Sequence, residues 1–279
     1  MGTLGYSDAS QRAMLDEVLR REREFHDAWA KVIDRDGIHV PDYFEACTAP
    51  ENRFILRHLG DIRGKYILDL GCGAGENSVY FALRGAQCVA GDYSPEMVHL
   101  AQALAAKYGV SITGKVMNAM AIDAPDETFD VVYAANLLHH IPDPFIAVRE
   151  MQRVVKPGGY VCFWDPLMHN PIINIYRRMA TQVRTPDETP LPINIIHQIR
   201  PLFRSIIWDT FWLASLWIFV QFYLVEKVHP NQERYWKKII MEHQRLQPTY
   251  LFLERIDRLL KYVPGMKRWA WNLAVVAQK

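Results

Sequence analysis

The sequence is poor in features that would by themselves assign it to a class of protein. Its 279 residues include four cysteines, and these lack the close spacing of metal ligands: Cys47, Cys72, Cys88 and Cys162. This distribution predicts reduced thiols in a cytoplasmic protein and argues against a disulfide-stabilised scaffold. The first residues contain no basic segment followed by an apolar run, so no secretory signal peptide is predicted.

An excess of charge of one sign is also missing. The chain has 32 Lys and Arg residues against 31 Asp and Glu residues, which gives a formal net charge of +1 at pH 7. Proteins that bind nucleic acid usually carry a basic surface. We therefore expect no nucleic-acid partner.

A membrane-spanning helix is not expected either. The uncharged stretch from Thr210 to Val225 has sixteen residues, fewer than the roughly 20 that a spanning helix needs. It is rich in aromatic residues, and Arg200, Arg204 and Lys227 lie nearby in the sequence. Two interpretations stay open: a helix buried in a substrate-binding cap, or a helix that makes contact with a membrane surface.

Residues 67–92 carry the most informative pattern in the chain. An apolar run is followed by a glycine-rich turn, a helix-like segment, a second apolar run and Asp92. The turn glycines Gly71, Gly73 and Gly75 permit positive φ and let a ligand approach bare backbone. A carboxylate about 20 residues further on is placed to accept hydrogen bonds from a ribose. The unit therefore predicts nucleoside binding.

Two details separate this turn from a dinucleotide-binding turn. The spacing Gly71-x-Gly73-x-Gly75 is tighter than the G-x-G-x-x-G spacing of a dinucleotide site. Asp69 lies in the strand just before the turn, where its charge would repel a pyrophosphate. A ligand with an amino group and no phosphate suits that charge better.

The first motif of the class I S-adenosylmethionine-dependent methyltransferases resembles residues 68–75, LDLGCGAG. The resemblance implies S-adenosyl-L-methionine as cofactor and S-adenosyl-L-homocysteine as product. It also implies that Asp92 binds the ribose hydroxyls. The residues that it places around the methionine moiety are Asp69, Gly71, Cys72 and Gly73.

Later segments are expected at the same cofactor. Tyr93 can stack on a purine, although a position at the rim is the open alternative. A third predicted strand, residues 112–117, ends at Asn118, Ala119 and Met120. In the resembling family an acid usually follows this strand and bonds the adenine amine, and the carbonyl oxygen of Asn118 can accept that bond without a charge.

Strands alternate with helices from residue 67 to residue 164, which predicts a mostly parallel sheet. Ligands bind such sheets at the carboxyl ends of the strands. The residues expected around this crevice are Gly71, Asp92, Asn118, Asn136 and Asp165. By the resemblance, the fold class is α/β, a Rossmann-like, seven-stranded, mostly parallel sheet with helices on both faces. Residues 205–212 are predicted as the sixth strand, and residues 271–277 as an antiparallel last strand.

Three regions are predicted along the chain. Residues 1–60 form an N-terminal helical lid, residues 61–165 the cofactor-binding core, and residues 166–279 a substrate cap that includes the last strands. The lid contains a helix over residues 7–34, which either packs on the rim of the sheet or covers the cofactor with His26 and Trp29. An apolar cap, inserted before the last strand, favours an apolar substrate.

Methyl transfer from a sulfonium requires alignment of donor and acceptor, and a hydroxyl acceptor often needs a general base. Histidine suits this role at neutral pH. His139 and His140 follow the fourth strand, where the methyl group should point, although one of them could serve only to pack the next helix. Asp165 and His169, after the fifth strand, are further candidates.

The segment after the fourth strand also resembles that of the ubiquinone-pathway O-methyltransferases, in which glutamates bind a divalent metal beside a histidine. Asn136 and His139 stand at the matching positions, so the acidic ligands are absent and no metal is predicted. Methyltransferases that modify nucleic-acid amines carry Asn/Asp-Pro-Pro-aromatic here. Leu137 and Leu138 follow Asn136 instead, which argues against that class.

These observations predict a methyltransferase that acts on a hydrophobic small molecule or lipid-like acceptor, at a hydroxyl oxygen and with histidine as general base. Two alternatives within the fold are C- or N-methylation by positioning alone and a different reaction, such as a cyclisation. A catalytically silent binding subunit is the non-enzymatic alternative. The acceptor and the oligomeric state are left open.

Overall fold

The structure, a computed structural model, describes residues 8–279 and, within them, the side chains of residue 13 and of residues 15–279. Residues 1–7, part of the predicted lid, lie outside the described residues. The helices of the described part are α1 (Asp8–Ala30), α2 (Asp42–Glu45), α3 (Pro50–Leu59), α4 (Glu76–Leu83), α5 (Pro95–Lys107), α6 (Pro144–Val154), α7 (Pro171–Met179), α8 (Ile195–Ile199), α9 (Trp217–Leu224), α10 (Tyr235–Met241) and α11 (His243–Leu260). The strands are β1 (Tyr66–Leu70), β2 (Gln87–Asp92), β3 (Thr113–Val116), β4 (Phe129–Ala135), β5 (Val155–Pro166), β6 (Ser205–Phe211) and β7 (Asn272–Gln278).

Within residues 8–279 these strands form one seven-stranded sheet in the order β3-β2-β1-β4-β5-β7-β6. Strands β1 to β5 pair in parallel, and β7 runs antiparallel between β5 and β6. The predicted α/β fold class and the antiparallel last strand are confirmed. The strand order reverses between β2-β1 and β4-β5, which opens a crevice at the carboxyl ends of these strands.

Alternate residues of the central strands enter two apolar clusters, one on each face of the sheet. Leu68 and Val132 pack in a cluster with residues of α6 and α8. Ile67 and Val131 pack in a second cluster with residues of α3, α4 and α5. All four side chains are fully buried, and burial of each stabilises the fold by about 1.5–3 kcal/mol. The parallel strands read as continuous apolar runs because both of their faces are covered.

The predicted regions 1–60, 61–165 and 166–279 share their packing. Phe44, Tyr133 and Val276 come one from each region and belong to the same buried cluster. The three predicted regions therefore describe the order of elements along the chain. The division of the chain into separate domains stays a prediction.

The predicted sixth strand, residues 205–212, is confirmed by β6, whereas the interpretation of residues 210–225 as one helix is wrong. Thr210 and Phe211 end strand β6, where they pair with β7. Trp212 then takes a positive φ of 68°, and a short 3₁₀ turn, Ala214–Leu216, precedes α9. The side chain of Asp257 on α11 accepts hydrogen bonds from the backbone N–H groups of this turn. Pairing with β7 thus decides that Thr210 and Phe211 are extended. The composition of the stretch alone does not decide this.

Helix α9 has one buried and one exposed apolar face. Ile218, Phe219 and Phe222 are buried in the cap, whereas Trp217 is 57% exposed and Leu224 is 63% exposed. None of the described helices combines the length and the apolar character that crossing a membrane would require.

Candidate active site

The glycine-rich turn between β1 and α4 adopts the backbone that its sequence predicts. Gly71, Gly73 and Gly75 have positive φ angles of 72°, 52° and 91°. A Cβ on Gly71 would lie 2.7 Å from a methyl carbon of Leu137, whereas a Cβ on Gly73 would meet no atom within 4 Å. The turn therefore packs closely on one side and leaves the backbone at Gly73 open on the other.

Asp92 connects this turn to the end of β2. Its carboxylate accepts hydrogen bonds of 2.9 Å from the backbone N–H of Gly73 and from that of Ser94. Ser94 in turn caps α5 by accepting a hydrogen bond from Met97 N. Each carboxylate oxygen has two lone pairs, so Asp92 retains acceptor capacity for the hydroxyls of a ligand.

Asp69 lies beneath the turn and is fully buried. Ser78 donates its hydroxyl to one carboxylate oxygen at 2.6 Å, and the other oxygen has no hydrogen-bond partner among the described residues. Burial raises the pKa of Asp69 to about 7, and the charges of Glu76 and Asp92 also raise it. A cationic group bound nearby would favour the ionised form, as expected for a ligand that carries an amino group.

A first cavity opens above the turn and holds about 1250 Å³ of empty space, counted with its mouth. The predicted residues that line it are Gly71, Cys72, Gly73, Asp92, Tyr93, Asn118, Ala119, Asn136 and His140. Four other predicted residues, whose roles stay predictions, do not line it: Asp69, Met120, His139 and Asp165.

A second, smaller cavity adjoins the first. The two share five lining residues, which are His26, Trp29, Asn136, His140 and Trp236. The second cavity also contains His139, three arginines (Arg177, Arg184 and Arg234) and Glu188. His169 lines neither cavity.

Helix α1 lies over both cavities, which favours the lid alternative over the rim alternative. Glu22, His26 and Trp29 line the first cavity, and His26 and Trp29 also line the second. These residues are four and seven positions apart, which places them on one helical face. That spacing is the signal by which Glu22, absent from the sequence prediction, could have been found.

Glu22 holds His140 in place. Nδ1 of His140 donates to a carboxylate oxygen of Glu22 at 2.9 Å, and Thr185 donates its hydroxyl to the other oxygen. Burial by itself would lower the pKa of His140, but the bond to Glu22 and the charge of Glu188 raise it above its ordinary value. With Nδ1 protonated, the neutral ring keeps its free lone pair on Nε2.

His139 has a different partner. Its Nδ1 lies 2.7 Å from the carboxylate of Asp165, which also accepts hydrogen bonds from the backbone N–H groups of Leu138 and His139. Burial lowers the pKa of His139 well below its ordinary value, and His140 lowers it further. His139 is therefore a neutral imidazole in the second cavity, and Asp165, which is fully buried, orients it.

Two groups of side chains have the composition of a metal site: Glu22, His26 and His140, and also His139, His140 and Glu188. Glu188, however, lies 3.2 Å from Arg177 and 3.0 Å from Arg184. Both oxygens of Glu22 are occupied by His140 and Thr185. Because these carboxylates are already paired with donors, we still predict that no metal binds here.

Several lining residues were not predicted from the sequence. Met117, Leu137, Trp236 and Lys237 line the first cavity. Lys237 and Trp236 belong to α10, and Trp236 contacts Trp29 edge to face at 6.4 Å between ring centroids. No local pattern marks Trp236 and Lys237, because they reach the cavity only when the cap packs on α1.

Comparison with known proteins shows what this architecture resembles. Residues 68–163 match the family model of the methyltransferase domain. The ubiquinone biosynthesis O-methyltransferase of Pseudomonas syringae pv. tomato is 38% identical over 113 residues, which are 40% of this chain and 48% of that protein. The chain thus spans about half the length of the curated relatives it matches.

Two solved structures share the fold at low identity. Haemonchus contortus phosphoethanolamine N-methyltransferase 2, in complex with phosphomonomethylethanolamine and S-adenosylhomocysteine, is 18% identical with a TM-score of 0.58; the match covers 92% of this chain and 59% of that one. The [4+2]-cyclase SpnF is 18% identical with a TM-score of 0.51, over 81% of this chain and 79% of that one. The family match falls on the strands and the turn that build the crevice, and it supports a class I S-adenosylmethionine-dependent methyltransferase domain over residues 68–163.

Proposed function

We propose that this protein transfers a methyl group from S-adenosylmethionine to a hydroxyl oxygen of a hydrophobic, lipid-like acceptor, with His140 as the general base. The main support is the position of His140, which lines both cavities while Glu22 holds its Nδ1. The curated relatives are named O-methyltransferases of ubiquinone biosynthesis, which supports an oxygen acceptor.

The residues of the first cavity fit S-adenosylmethionine. Asp92 offers acceptor oxygens to ribose hydroxyls, and the open backbone at Gly73 admits close approach of a ligand. The unpaired oxygen of Asp69 lies beneath the turn, where a positive ligand charge would compensate it. Lys237, which has no carboxylate within 4 Å among the described side chains, offers a cation to a ligand carboxylate. When bound, this cofactor supplies an electrophilic methyl group on a positively charged sulfur.

The second cavity has walls that suit an apolar acceptor. Its lining includes several large apolar or aromatic side chains: Phe25, Trp29, Ile173, Tyr176, Trp236 and Trp271. Such walls hold an apolar molecule and exclude water, which brings its hydroxyl oxygen toward the first cavity in a fixed orientation. The acceptor would enter from the cap side and meet His140 at the shared wall.

His140 performs the proton transfer. Its Nε2 lone pair would take the proton of the acceptor hydroxyl as that oxygen is methylated. The carboxylate of Glu22 stabilises the imidazolium that results, in the way that an orienting acid does in other His-based sites. His139, held neutral by burial, contributes packing and polarity beside it.

The protein is also proposed to contact a membrane surface through the exposed face of α9. Trp217 and Leu224 are exposed there, and an aromatic residue among aliphatic ones suits the interface between water and lipid. Such contact would bring the cap close to an acceptor that resides in the bilayer.

A methyl-transfer assay tests the proposed chemistry. The purified protein is incubated with labelled S-adenosylmethionine and a panel of catechols, quinols and hydroxylated lipids, and both methylated product and S-adenosylhomocysteine are measured. We expect His140→Gln to lower kcat by roughly 10²–10⁴-fold with unchanged affinity for S-adenosylhomocysteine. His197→Gln, at an exposed position on α8, is the matched control. Full activity of the His140 variant would show that positioning alone suffices and would refute the general-base role.

A further inference from the structure

Arg234 stands out among the charged residues of the second cavity. It is half-buried and lines that cavity. Its guanidinium carbon lies 3.5 Å from the ring centroid of Trp29, so the two groups are stacked. No described carboxylate lies within 4 Å of this guanidinium, in contrast to Arg177 and Arg184 in the same cavity.

The remaining charges of the cavity do not neutralise Arg234. Glu188 lies within salt-bridge distance of Arg177 and of Arg184, so one carboxylate already serves two guanidinium groups. His139 is neutral, and His140 is paired with Glu22. Three arginines against one glutamate leave the described lining of the second cavity with an excess of positive charge.

A guanidinium that has lost part of its hydration pays a desolvation free energy, which other interactions must offset. Stacking on Trp29 supplies some of it through the cation–π interaction. The stacked geometry also holds the planar guanidinium in a fixed orientation, which prepares its N–H groups for a planar or tetrahedral anion. Burial lowers the pKa of Arg234 to about 10, so the group is still cationic at neutral pH.

We propose that the acceptor of the methyl transfer carries an anionic group, a carboxylate or a phosphate monoester, and that Arg234 binds this group in the second cavity. The inference rests on the proposed function, and it narrows the acceptor from any hydrophobic molecule to an amphiphilic acid. The aromatic walls hold the apolar body, Arg234 holds the anion, and the hydroxyl lies at His140.

The test uses matched probes that differ in charge. The full chain, saturated with S-adenosylhomocysteine, is titrated by calorimetry with octanoate, octanamide and octyl phosphate, and in parallel with 3,4-dihydroxybenzoate and 3,4-dihydroxybenzamide. We expect an anion in at least one series to bind ten-fold or more tightly than its neutral amide. The relative affinities of octanoate and octyl phosphate then identify which anion the site prefers.

Variants test whether Arg234 causes the preference for anions over amides. Arg234→Met keeps the length and apolar stem of the side chain and should reduce the preference for the anion to less than three-fold, with unchanged affinity for S-adenosylhomocysteine. Arg234→Lys keeps the charge and should retain part of it. Arg258→Met, an exposed arginine on α11 that pairs with Glu254, is the control and should behave like the wild type.

The outcomes separate this inference from the proposed function. Equal affinity for anions and amides in the wild type, or a preference that survives in Arg234→Met, overturns the anionic-acceptor proposal. Failure to bind S-adenosylhomocysteine at all would instead remove the proposed function. If the wild type binds S-adenosylhomocysteine and methylates only neutral acceptors, the proposed function stands and the anionic-acceptor proposal is refuted.

Discussion

The imidazole of His140 and the carboxylate of Glu22 are 118 positions apart in the sequence and are joined by a 2.9 Å hydrogen bond. Glu22 belongs to α1, and His140 belongs to the 3₁₀ turn that follows β4. A base oriented in this way exists only while α1 lies over the crevice. The proposed orientation of His140 by Glu22 therefore requires α1 in this position.

The pH dependence of the reaction tests the bond between Glu22 and His140. The base must be neutral to accept a proton, and Glu22 helps to hold the pKa of His140 above its ordinary value of 6.5. We expect kcat/KM to rise with pH through an acidic limb above 6.5. In Glu22→Gln the charge is lost, the pKa of His140 falls, and this limb moves to lower pH while kcat decreases.

The control for this experiment is Glu24→Gln, since Glu24 is exposed on the same helix and pairs with Arg20. Its pH profile should match that of the wild type. An acidic limb at the same pH in the wild type and in Glu22→Gln would show that Glu22 does not set the pKa that governs the reaction.

Removal of the Asp92 carboxylate should strongly weaken cofactor binding. Hydrogen bonds to a charged group contribute about 1.5–3 kcal/mol, so a loss of about 2–3 kcal/mol in Asp92→Ala corresponds to a roughly 30- to 160-fold weaker Kd. Calorimetry with S-adenosylhomocysteine measures the change. Asp36→Ala, at a position where the side chain is 75% exposed, should bind as the wild type does; unchanged affinity in Asp92→Ala would refute the ribose role.

Chelation tests the absence of a required metal. Because Glu188 is engaged by two arginines and Glu22 by His140 and Thr185, we expect methyl transfer in excess EDTA to stay within about two-fold of its original rate. Elemental analysis of the purified protein should find no stoichiometric divalent metal. A loss of activity that Mg²⁺ or Zn²⁺ restores would contradict this expectation.

Flotation tests the proposed membrane contact. We expect the wild type to float with vesicles of phosphatidylcholine and phosphatidylglycerol, and the double variant Trp217→Ser, Leu224→Ser to float several-fold less, since apolar insertion drives such binding. A control double variant, Leu83→Ser with Val116→Ser, replaces exposed apolar residues on α4 and β3. Absence of the wild type from the floated fraction would leave α9 as a cap helix alone.

Residues 210–225 and the adjacent pair His139 and His140 show where local patterns reach their limit. The uncharged run is compatible with one helix, yet Thr210 and Phe211 pair with β7 and Trp212 has a positive φ. The two histidines are equivalent as a pattern. In the structure His139 faces Asp165 and the second cavity, whereas His140 bonds to Glu22 and lines both cavities.

The sequence by itself determined the parallel sheet, the glycine-rich turn and Asp92 at its crevice, because apolar runs, glycine backbone freedom and strand ends act over a few neighbouring residues. Only the tertiary structure decided which histidine meets Glu22, and which arginine stacks on Trp29 without a carboxylate partner among the described residues. Those contacts join α1, the turn after β4 and the cap. They depend on how distant elements pack against one another, and no short segment encodes that.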